Sequence, residues 1–237
     1  MPSVPLPPFD PERIPVSAVD TGLPAVAADR LRAAWLRAHL ASNPVWRAEV
    51  FRDVAGATKP PRPAAVLVPL VERSGGMQLL LTRRNANLNA HAGQISFPGG
   101  RSDPEDVDAI STALREAEEE IGLARSAVEP LGALPLYTTI TGYAVTPVIG
   151  LVDPMASMEA FPGEVDELFE VPLQFLMDPA HHEHRSWDVA SGLPGGAPGP
   201  TRRSFLAMPW IRDDGRRYFI WGATAAMIRN LYRLLIA

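Results

Sequence analysis

The stretch FPGGRSDPEDVDAISTALREAEEEIGL, residues 97–123, decides the fold of this 237-residue chain. It opens with a Pro-Gly-Gly turn, and Gly122 ends a helix predicted from about Val107 to Ile121. Several carboxylates lie on this one short helix, and like charges at i,i+4 spacing destabilise a helix. A hard divalent cation with oxygen ligands would offset the repulsion, so the stretch indicates a metal site.

At about 100° per residue, the helix carries an acidic arc beside an apolar stripe. The stripe consists of Ile110, Ala113, Leu114, Ala117 and Ile121. Glu116, Glu119 and Glu120 share an arc of roughly 100° beside it. Glu118 points elsewhere, as a solvated charge, and Arg115 lies at the edge of the arc, where it pairs with a carboxylate. An exposed acidic helix face is the alternative, and the preceding Gly-Gly favours the metal site.

This segment resembles the signature of the Nudix hydrolases, G-x5-E-x7-R-E-U-x-E-E-x-G-U, in which U is a bulky apolar residue. The second half fits from Arg115 to Leu123, with the small Ala117 at the first U. The first half departs, because Asp106 stands in place of Glu and eight residues rather than seven separate it from Arg115. The resemblance implies metal ligands for Mg²⁺, or for Mn²⁺ as a substitute. They are Glu116, Glu119, Glu120 and the backbone carbonyl of Gly100.

The sequence just upstream, LLTRRNANLNAHAGQISFPGG (80–100), resembles the signature of the coenzyme A pyrophosphatase branch of that family, LLTxR-[S/A]-x3-R-x3-G-x3-FPGG. Asn85 and Asn89 depart from it, and Asn89 replaces an arginine that would be a bidentate phosphate partner. The expected substrate contacts are Arg84, His91, Gly93 and Phe97. For His91 a polar loop residue is an equal alternative. The sequences of residues 138–154 and 163–173 also resemble sequences of this branch.

The resemblance implies an enzyme that hydrolyses a pyrophosphate bond in coenzyme A or its derivatives. The products would be 4′-phosphopantetheine and adenosine 3′,5′-bisphosphate. We expect Glu116, Glu119 and Arg115 to be catalytic. The general base is either a helix glutamate or an acid of the segment PGEVDE, where Glu164 and Glu167 are the candidates; ordinary acids near a helix N-terminus are the alternative.

Two other functions remain open at this stage. Because Asn89 weakens the match, the substrate is alternatively ADP-ribose, a nucleoside diphosphate sugar or a dinucleotide. A Nudix-fold module that binds nucleotides without turnover is the second alternative, and the three intact glutamates oppose it. A small-molecule nucleotide is therefore the expected partner, and a homodimer is left open.

Composition excludes several other classes of protein. The net charge of −5 opposes non-specific binding to nucleic acid, which needs a basic face. The absence of cysteine excludes disulfides, cysteine-based zinc sites and thiol nucleophiles. No apolar run approaches the roughly 18 residues of a membrane span, and no secretory signal is recognisable, so a cytoplasmic location is expected. His181, His182 and His184 are expected in a polar loop rather than a zinc site.

The order of elements predicts an α/β/α sandwich with a mixed sheet and an N-terminal helical extension. We expect residues 1–60 to form an arm with an amphipathic helix at 25–41, which covers the domain or a partner. Residues 61–237 are expected to form the Nudix domain that the resemblance implies. Strands are predicted at 64–71, 77–83, 94–97, 131–137 and 143–152, with Pro147 at an edge or bulge. A short helix at 166–177, a loop at 190–200, a hairpin around Asp213, Asp214 and Gly215 and a helix at 222–236 complete the chain.

Overall fold

The computed structural model describes residues 10–50, 60–85, 93–139, 141–189 and 201–237. In chain order, the strands and α-helices in these ranges are β1 (Val16–Val19), α1 (Ala33–Ala41), β2 (Arg62–Arg73), β3 (Gly76–Arg84), β4 (Ile95–Ser96), β5 (Gly99–Arg101), α2 (Ala109–Ile121), β6 (Val128–Ala133), β7 (Tyr137–Thr138), β8 (Tyr143–Val152), β9 (Val165–Pro172), α3 (Leu173–Leu176), β10 (Glu183–Val189), β11 (Thr201–Ile211), β12 (Arg217–Trp221) and α4 (Gly222–Ile236). Short 3-10 helices lie at Pro11–Arg13, Ala28–Leu31, Arg125–Ala127 and Pro179–His181.

The described strands form two sheets. The main sheet has the order β4-β3-β2-β8-β6, with β5 beside β2, β7 beside β8 and β9 beside β3. Strands β2 and β8 run parallel, from Arg62 opposite Tyr143 to Val71 opposite Val152, whereas the other pairs in this sheet are antiparallel. The predicted mixed sheet is therefore confirmed. The second sheet has the order β1-β10-β11-β12 and is antiparallel.

Both faces of the main sheet are covered, because side chains alternate between them along each strand. On β2, Ala65, Leu67 and Val71 pack in a cluster with the apolar residues of α2. Val68 and Leu70 of the same strand face the larger cluster, which includes residues of α3 and α4. Because both faces of β2 are buried, its sequence is an almost continuous run of apolar residues. This arrangement also confirms the predicted α/β/α sandwich.

The N-terminal extension shares the larger core cluster. Val26, Leu31 and Leu36 are all buried there. The single helix predicted at 25–41 is wrong, because Arg32 is extended (φ −99°, ψ 145°) and separates a 3-10 turn from α1. Arg30 donates through Nη1 to the carbonyl oxygen of Leu235 at 3.2 Å, at the end of α4. Docking on α4 therefore overrides local helix propensity in this segment.

Three further predictions of secondary structure need full or partial correction. Residues 166–177 are not a helix and turn, because β9 pairs with β3 from Val165 to Pro172 and only then does the short α3 begin. The strand predicted at 131–137 is split into β6 and β7. Pro147 lies in the interior strand β8, so of the two predicted positions the edge is wrong, whereas the pairing opposite Pro147 is irregular, as a bulge would be. The carbonyl of Pro147 accepts from Leu134 N at 2.8 Å. The backbone N and O atoms of a strand residue point to the same side of the strand. The nitrogen of Pro147, which has no hydrogen, therefore faces the break between β6 and β7 and leaves no donor unpaired there.

The histidine-rich segment is also not the polar loop expected. His182 is fully buried, and β10 begins at Glu183. The remaining predicted elements agree with the structure: the β2–β3 turn, the short strand before Pro98, the hairpin at 213–215 and the closing helix at 222–236. The predicted loop at 190–200 lies outside the described residues. Within the part of the chain that the structure describes, no helix has both the length and the apolar character needed to cross a bilayer.

Candidate active site

Helix α2 is fixed at both ends by local interactions. Asp108 caps its N-terminus by accepting from Ser111 N at 2.8 Å, and Ser111 Oγ accepts in return from Asp108 N. At the other end Gly122 has φ 63°, a left-handed conformation that favours glycine. Ala113 and Ala117 are fully buried against the sheet, whereas Ile110 is 37% exposed and lies off the predicted apolar stripe. The two small alanines bring the helix close to β2 and β5.

Glu120 is a buried carboxylate beside the Pro-Gly-Gly segment. Its Oε2 accepts from Gly99 N at 3.0 Å, and Arg84 Nη1 lies 3.4 Å from its Oε1. Burial raises the pKa of Glu120 to about 7, and the nearby carboxylates of Glu116 and Glu164 also raise it, against the opposing effect of the Gly99 N–H and Arg84. Positive charge at this point would therefore stabilise the ionised carboxylate.

Gly100 lies directly against Glu116. A Cβ at position 100 would come within 2.5 Å of the Oε2 atom of Glu116, so the contact requires glycine. Strand β5 fixes this approach, because Gly100 is paired with Ala65 of β2. Burial raises the pKa of Glu116, and the carboxylates of Glu119 and Glu164 raise it further, while Arg115 lowers it.

Arg115 connects the acidic groups of the site. Its Nη1 lies 3.0 Å from Glu116 Oε1 and 3.0 Å from Glu119 Oε2, as the position of Arg115 at the edge of the acidic arc predicts. Asp106 holds the other side of the guanidinium, at 3.1 Å from Nε and 3.0 Å from Nη2. The pKa of Asp106 is lowered mainly by this pairing, and that of Arg115 is raised. Glu118 is turned away and pairs with Arg125, as expected for a solvated charge.

Of the two candidate bases outside the helix, Glu164 is the one beside α2. The backbone before it is bound to the helix end, since Phe161 N donates to the Glu120 carbonyl oxygen at 2.9 Å. The Glu164 carbonyl oxygen accepts from Asn85 N at 2.9 Å, and its carboxylate raises the pKa of both Glu116 and Glu120. Glu167 belongs to a different group, and its Oε1 accepts from Arg216 Nη1 at 2.6 Å.

The upstream signature reaches the site through Arg84. The structure places Phe97 in the core, 2% exposed, so this side chain packs rather than faces a ligand. Gly93 has φ 69° and donates its N–H to the Arg84 carbonyl oxygen at 3.1 Å, which positions the end of β3. His91 and Asn89 lie outside the described residues, so their substrate roles stay predictions.

The donor chemistry fits a hard divalent cation. Glu116 and Glu120 offer carboxylate oxygens, and their pKa values are raised by burial and by neighbouring carboxylates. Gly100 lets the backbone approach Glu116. Glu119 is the third expected ligand. Its side chain is 59% exposed and pairs with Arg115. Among the described residues, no three acidic or histidine side chains already surround a common point.

Sequence reasoning missed the importance of Gly99 and left Asp106 without a definite role. Gly99 donates to Glu120, and its φ of 151° and tight contact with the backbone of Ala65 exclude a side chain. The pair of consecutive glycines was the available signal. Asp106 holds Arg115 through hydrogen bonds. The available signal was an acidic residue close to, but one residue off, the position of the signature glutamate.

Three comparisons relate the chain to known proteins. The family model described as NUDIX domain matches residues 60–189. The chain is 43% identical over 171 residues to the "Uncharacterized Nudix hydrolase NudL" of Escherichia coli (strain K12), which covers 72% of this chain and 81% of that protein. The corresponding protein of Shigella boydii serotype 4 gives the same identity and coverage. A solved C. elegans Ap4A hydrolase binary complex is 19% identical, with a TM-score of 0.42, over 48% of this chain and 85% of that chain.

The match with the family model spans more than half of the chain and contains the described groups around α2, from Arg84 to Glu164. The match with the Escherichia coli relative covers 81% of that protein. The chain therefore belongs to the Nudix hydrolase family.

Proposed function

We propose that this Nudix hydrolase cleaves the pyrophosphate bond of coenzyme A or its derivatives, giving 4′-phosphopantetheine, or its acyl form, and adenosine 3′,5′-bisphosphate. The observation that carries the proposal is the contact between Arg84 and Glu120, 3.4 Å apart. Arg84 belongs to the upstream signature that resembles the coenzyme A branch, and Glu120 belongs to the metal-binding helix. Their contact supports a single site in which the first motif selects the substrate that the second hydrolyses.

The residues of α2 and β5 would hold the cation. Glu116, Glu120 and Glu119 supply carboxylates, and Gly100 supplies its backbone carbonyl. Mg²⁺ is the expected ion, with Mn²⁺ as a substitute, because both prefer oxygen ligands. When bound, the cation neutralises charge on the pyrophosphate and lowers the pKa of a water molecule.

The other side chains position the substrate and move the proton. Arg84, 30% exposed, presents its guanidinium beside the buried Glu120, where it binds a phosphate oxygen. Arg115 holds Glu116 and Glu119 in place, and Asp106 orients Arg115. Glu164, whose carboxylate raises the pKa of both Glu116 and Glu120, is the proposed general base and accepts the proton of the attacking water.

A product assay tests this assignment. Purified protein with Mg²⁺ is incubated in parallel with coenzyme A, ADP-ribose and a dinucleotide, and the products are identified by mass. Glu116→Gln serves as the inactive control for contaminating hydrolases, since it removes the carboxylate that faces Gly100. We expect adenosine 3′,5′-bisphosphate from coenzyme A with the wild type and none with the variant.

The other outcomes separate the alternatives. Cleavage of ADP-ribose or of the dinucleotide without cleavage of coenzyme A would keep the chemistry and overturn the substrate. Failure to cleave any of the three substrates at saturating Mg²⁺ would contradict the proposed hydrolysis of coenzyme A and favour a binding module.

A further inference from the structure

A second charged cluster lies on the other side of the end of β3. Three guanidinium groups surround the carboxylate of Glu167: its Oε1 is 2.6 Å from Arg216 Nη1 and 3.7 Å from Arg212 Nη1, and its Oε2 is 3.5 Å from Arg83 Nη1. The hydroxyl of Tyr218 also donates to Glu167, at 2.7 Å. These contacts join β3 and β9 to the β11–β12 hairpin.

The hairpin is built to hold two of these arginines together. Arg212 N donates to the Arg216 carbonyl oxygen at 2.9 Å, and Gly215 closes the turn with φ 82°. Asp214 accepts from Arg212 Nε at 2.9 Å and from Arg216 N at 2.9 Å, which fixes both residues at the base of the turn. The cluster is therefore positioned by backbone as well as by side-chain contacts.

The cluster carries an excess of positive charge. The three arginines face two carboxylates, Glu167 and Asp214, in a protein whose net charge is −5. Burial alone would raise the pKa of Glu167, but Tyr218 and Arg216 outweigh burial and lower it. Arg216 contacts Glu167 through Nη1 and is 51% exposed. Because a guanidinium carries five N–H donors, donors remain for a second anionic acceptor.

The cluster lies next to the active site. Arg83 and Arg84 are consecutive, with Cα atoms about 3.8 Å apart, and their side chains leave opposite faces of β3. Arg84 contacts Glu120 on the side of α2, whereas Arg83 contacts Glu167 on the side of the hairpin. Glu167 of β9 lies three residues after Glu164, which precedes the strand. A ligand that contacts both groups would therefore have to extend around the end of β3.

We propose that Arg83, Arg212 and Arg216 bind a phosphomonoester of the substrate, separate from the pyrophosphate that is hydrolysed. This inference rests on the proposed function in taking the ligand to be a nucleotide that carries both groups, as coenzyme A does at its 3′ position. The planar fork of arginine suits a dianionic phosphate, and Glu167 holds the fork in orientation. Arg212 and Arg216 lie outside residues 60–189, the range that matches the family model.

The test is a binding measurement that needs neither turnover nor a metal ion. Calorimetric titration compares adenosine 3′,5′-bisphosphate with adenosine 5′-monophosphate, which lacks only the 3′-phosphate. We expect the wild type to bind the bisphosphate about tenfold more tightly, as one charge-assisted phosphate contact would produce. Arg216→Gln is expected to bring the two dissociation constants together, and Arg216→Lys to restore part of the difference.

Arg217→Gln is the matched control, because Arg217 is the neighbouring arginine and pairs instead with Glu12 at 2.7 Å. It is expected to keep the wild-type preference. Equal affinity of the wild type for the two nucleotides, or the same loss in both variants, would overturn the proposal. If coenzyme A is not hydrolysed but the preference for the bisphosphate is found, the subsite stands and only the assigned reaction fails.

Discussion

Gly100 and Glu116 approach so closely that a single Cβ atom on Gly100 would lie 2.5 Å from a carboxylate oxygen of Glu116. The contact joins the Pro-Gly-Gly segment to the acidic helix, which are separated in sequence by a loop. It also sets the position of Glu116 relative to Glu120, whose Oε2 accepts from the adjacent Gly99 N at 3.0 Å. The two glycines therefore position the carboxylates of Glu116 and Glu120.

Replacing Gly100 with alanine is predicted to impair turnover more than stability. The added Cβ forces the Glu116 carboxylate, a side-chain end that can move, to shift by about an ångström, and a misplacement of that size costs about 10²-fold in rate. The measurement is kcat for pyrophosphate hydrolysis, with the Tm of each protein. Gly75→Ala is the control, because no atom lies within 4 Å of the position of its Cβ. An active Gly100→Ala protein would show that this contact has no catalytic role.

Asp106→Asn is predicted to lower kcat about tenfold or more. The amide cannot accept both hydrogen bonds from Arg115 as an ionised carboxylate does, so Arg115 holds Glu116 and Glu119 less firmly. Steady-state kinetics at saturating Mg²⁺ measures the effect. The exposed neighbour Glu105 supplies the comparison, and Glu105→Gln is expected to keep wild-type kcat. Equal values for the two variants would contradict a positioning role for Asp106.

Much of the site was predictable because it lies on one continuous segment. The 3.6-residue period places Glu116 and Glu120 on one helix face, and Gly122 marks the end of the helix. The helical period alone did not show that Ile110 would be 37% exposed. Nor did the period show which of Glu164 and Glu167 lies beside α2, because that depends on how the chain at β9 pairs with β3.

The elements that were wrongly predicted are those decided by tertiary contacts. Residues 166–177 have good helix formers, yet pairing with β3 makes 165–172 a strand. The extension at 25–41 has helical spacing, yet docking onto α4 breaks it at Arg32. Local propensity amounts to fractions of a kcal/mol per residue and yields to such burial.

The division of the chain at residue 60 is testable through Leu36. This side chain is 0% exposed in the larger core cluster, so Leu36→Ala is predicted to lower the free energy of unfolding by about 3 kcal/mol. Urea denaturation measures the change. Val45, 99% exposed in the same extension, gives the control variant Val45→Ala, for which no change is expected. If Leu36→Ala were equally harmless, the extension would be a dispensable arm.

His182 is predicted to make stability depend on pH. Its Nε2–H donates to the Leu176 carbonyl oxygen at 2.8 Å, and its Nδ1 accepts from Arg229 Nη1 at 2.9 Å, so the buried ring is held neutral. Burial, and then the positive charge of Arg229, lower its pKa from 6.5 to about 4. Between these values the unfolded chain binds the proton and the folded chain does not. The free energy of unfolding should therefore fall as pH drops from 6.5 to about 4, by roughly 3 kcal/mol, and change no further from this group below that.

Urea denaturation at a series of pH values measures this slope. His182→Gln is expected to be less stable near neutral pH but to lose this part of the pH dependence. His181→Gln should keep it, because His181 stacks on Phe175 outside this network. An unchanged slope in His182→Gln would assign the effect to other groups.

The most direct test of the active site compares Glu120→Gln with Glu118→Gln for hydrolysis of coenzyme A with Mg²⁺. The amide of Glu120→Gln keeps an acceptor for Gly99 N but carries no charge for a cation or for Arg84. Glu118, two residues away, faces Arg125 on another side of the helix. We predict at least a 10²-fold loss of kcat in Glu120→Gln and wild-type kcat in Glu118→Gln. Full activity in both variants would contradict the placement of the catalytic site between α2 and the Pro-Gly-Gly segment.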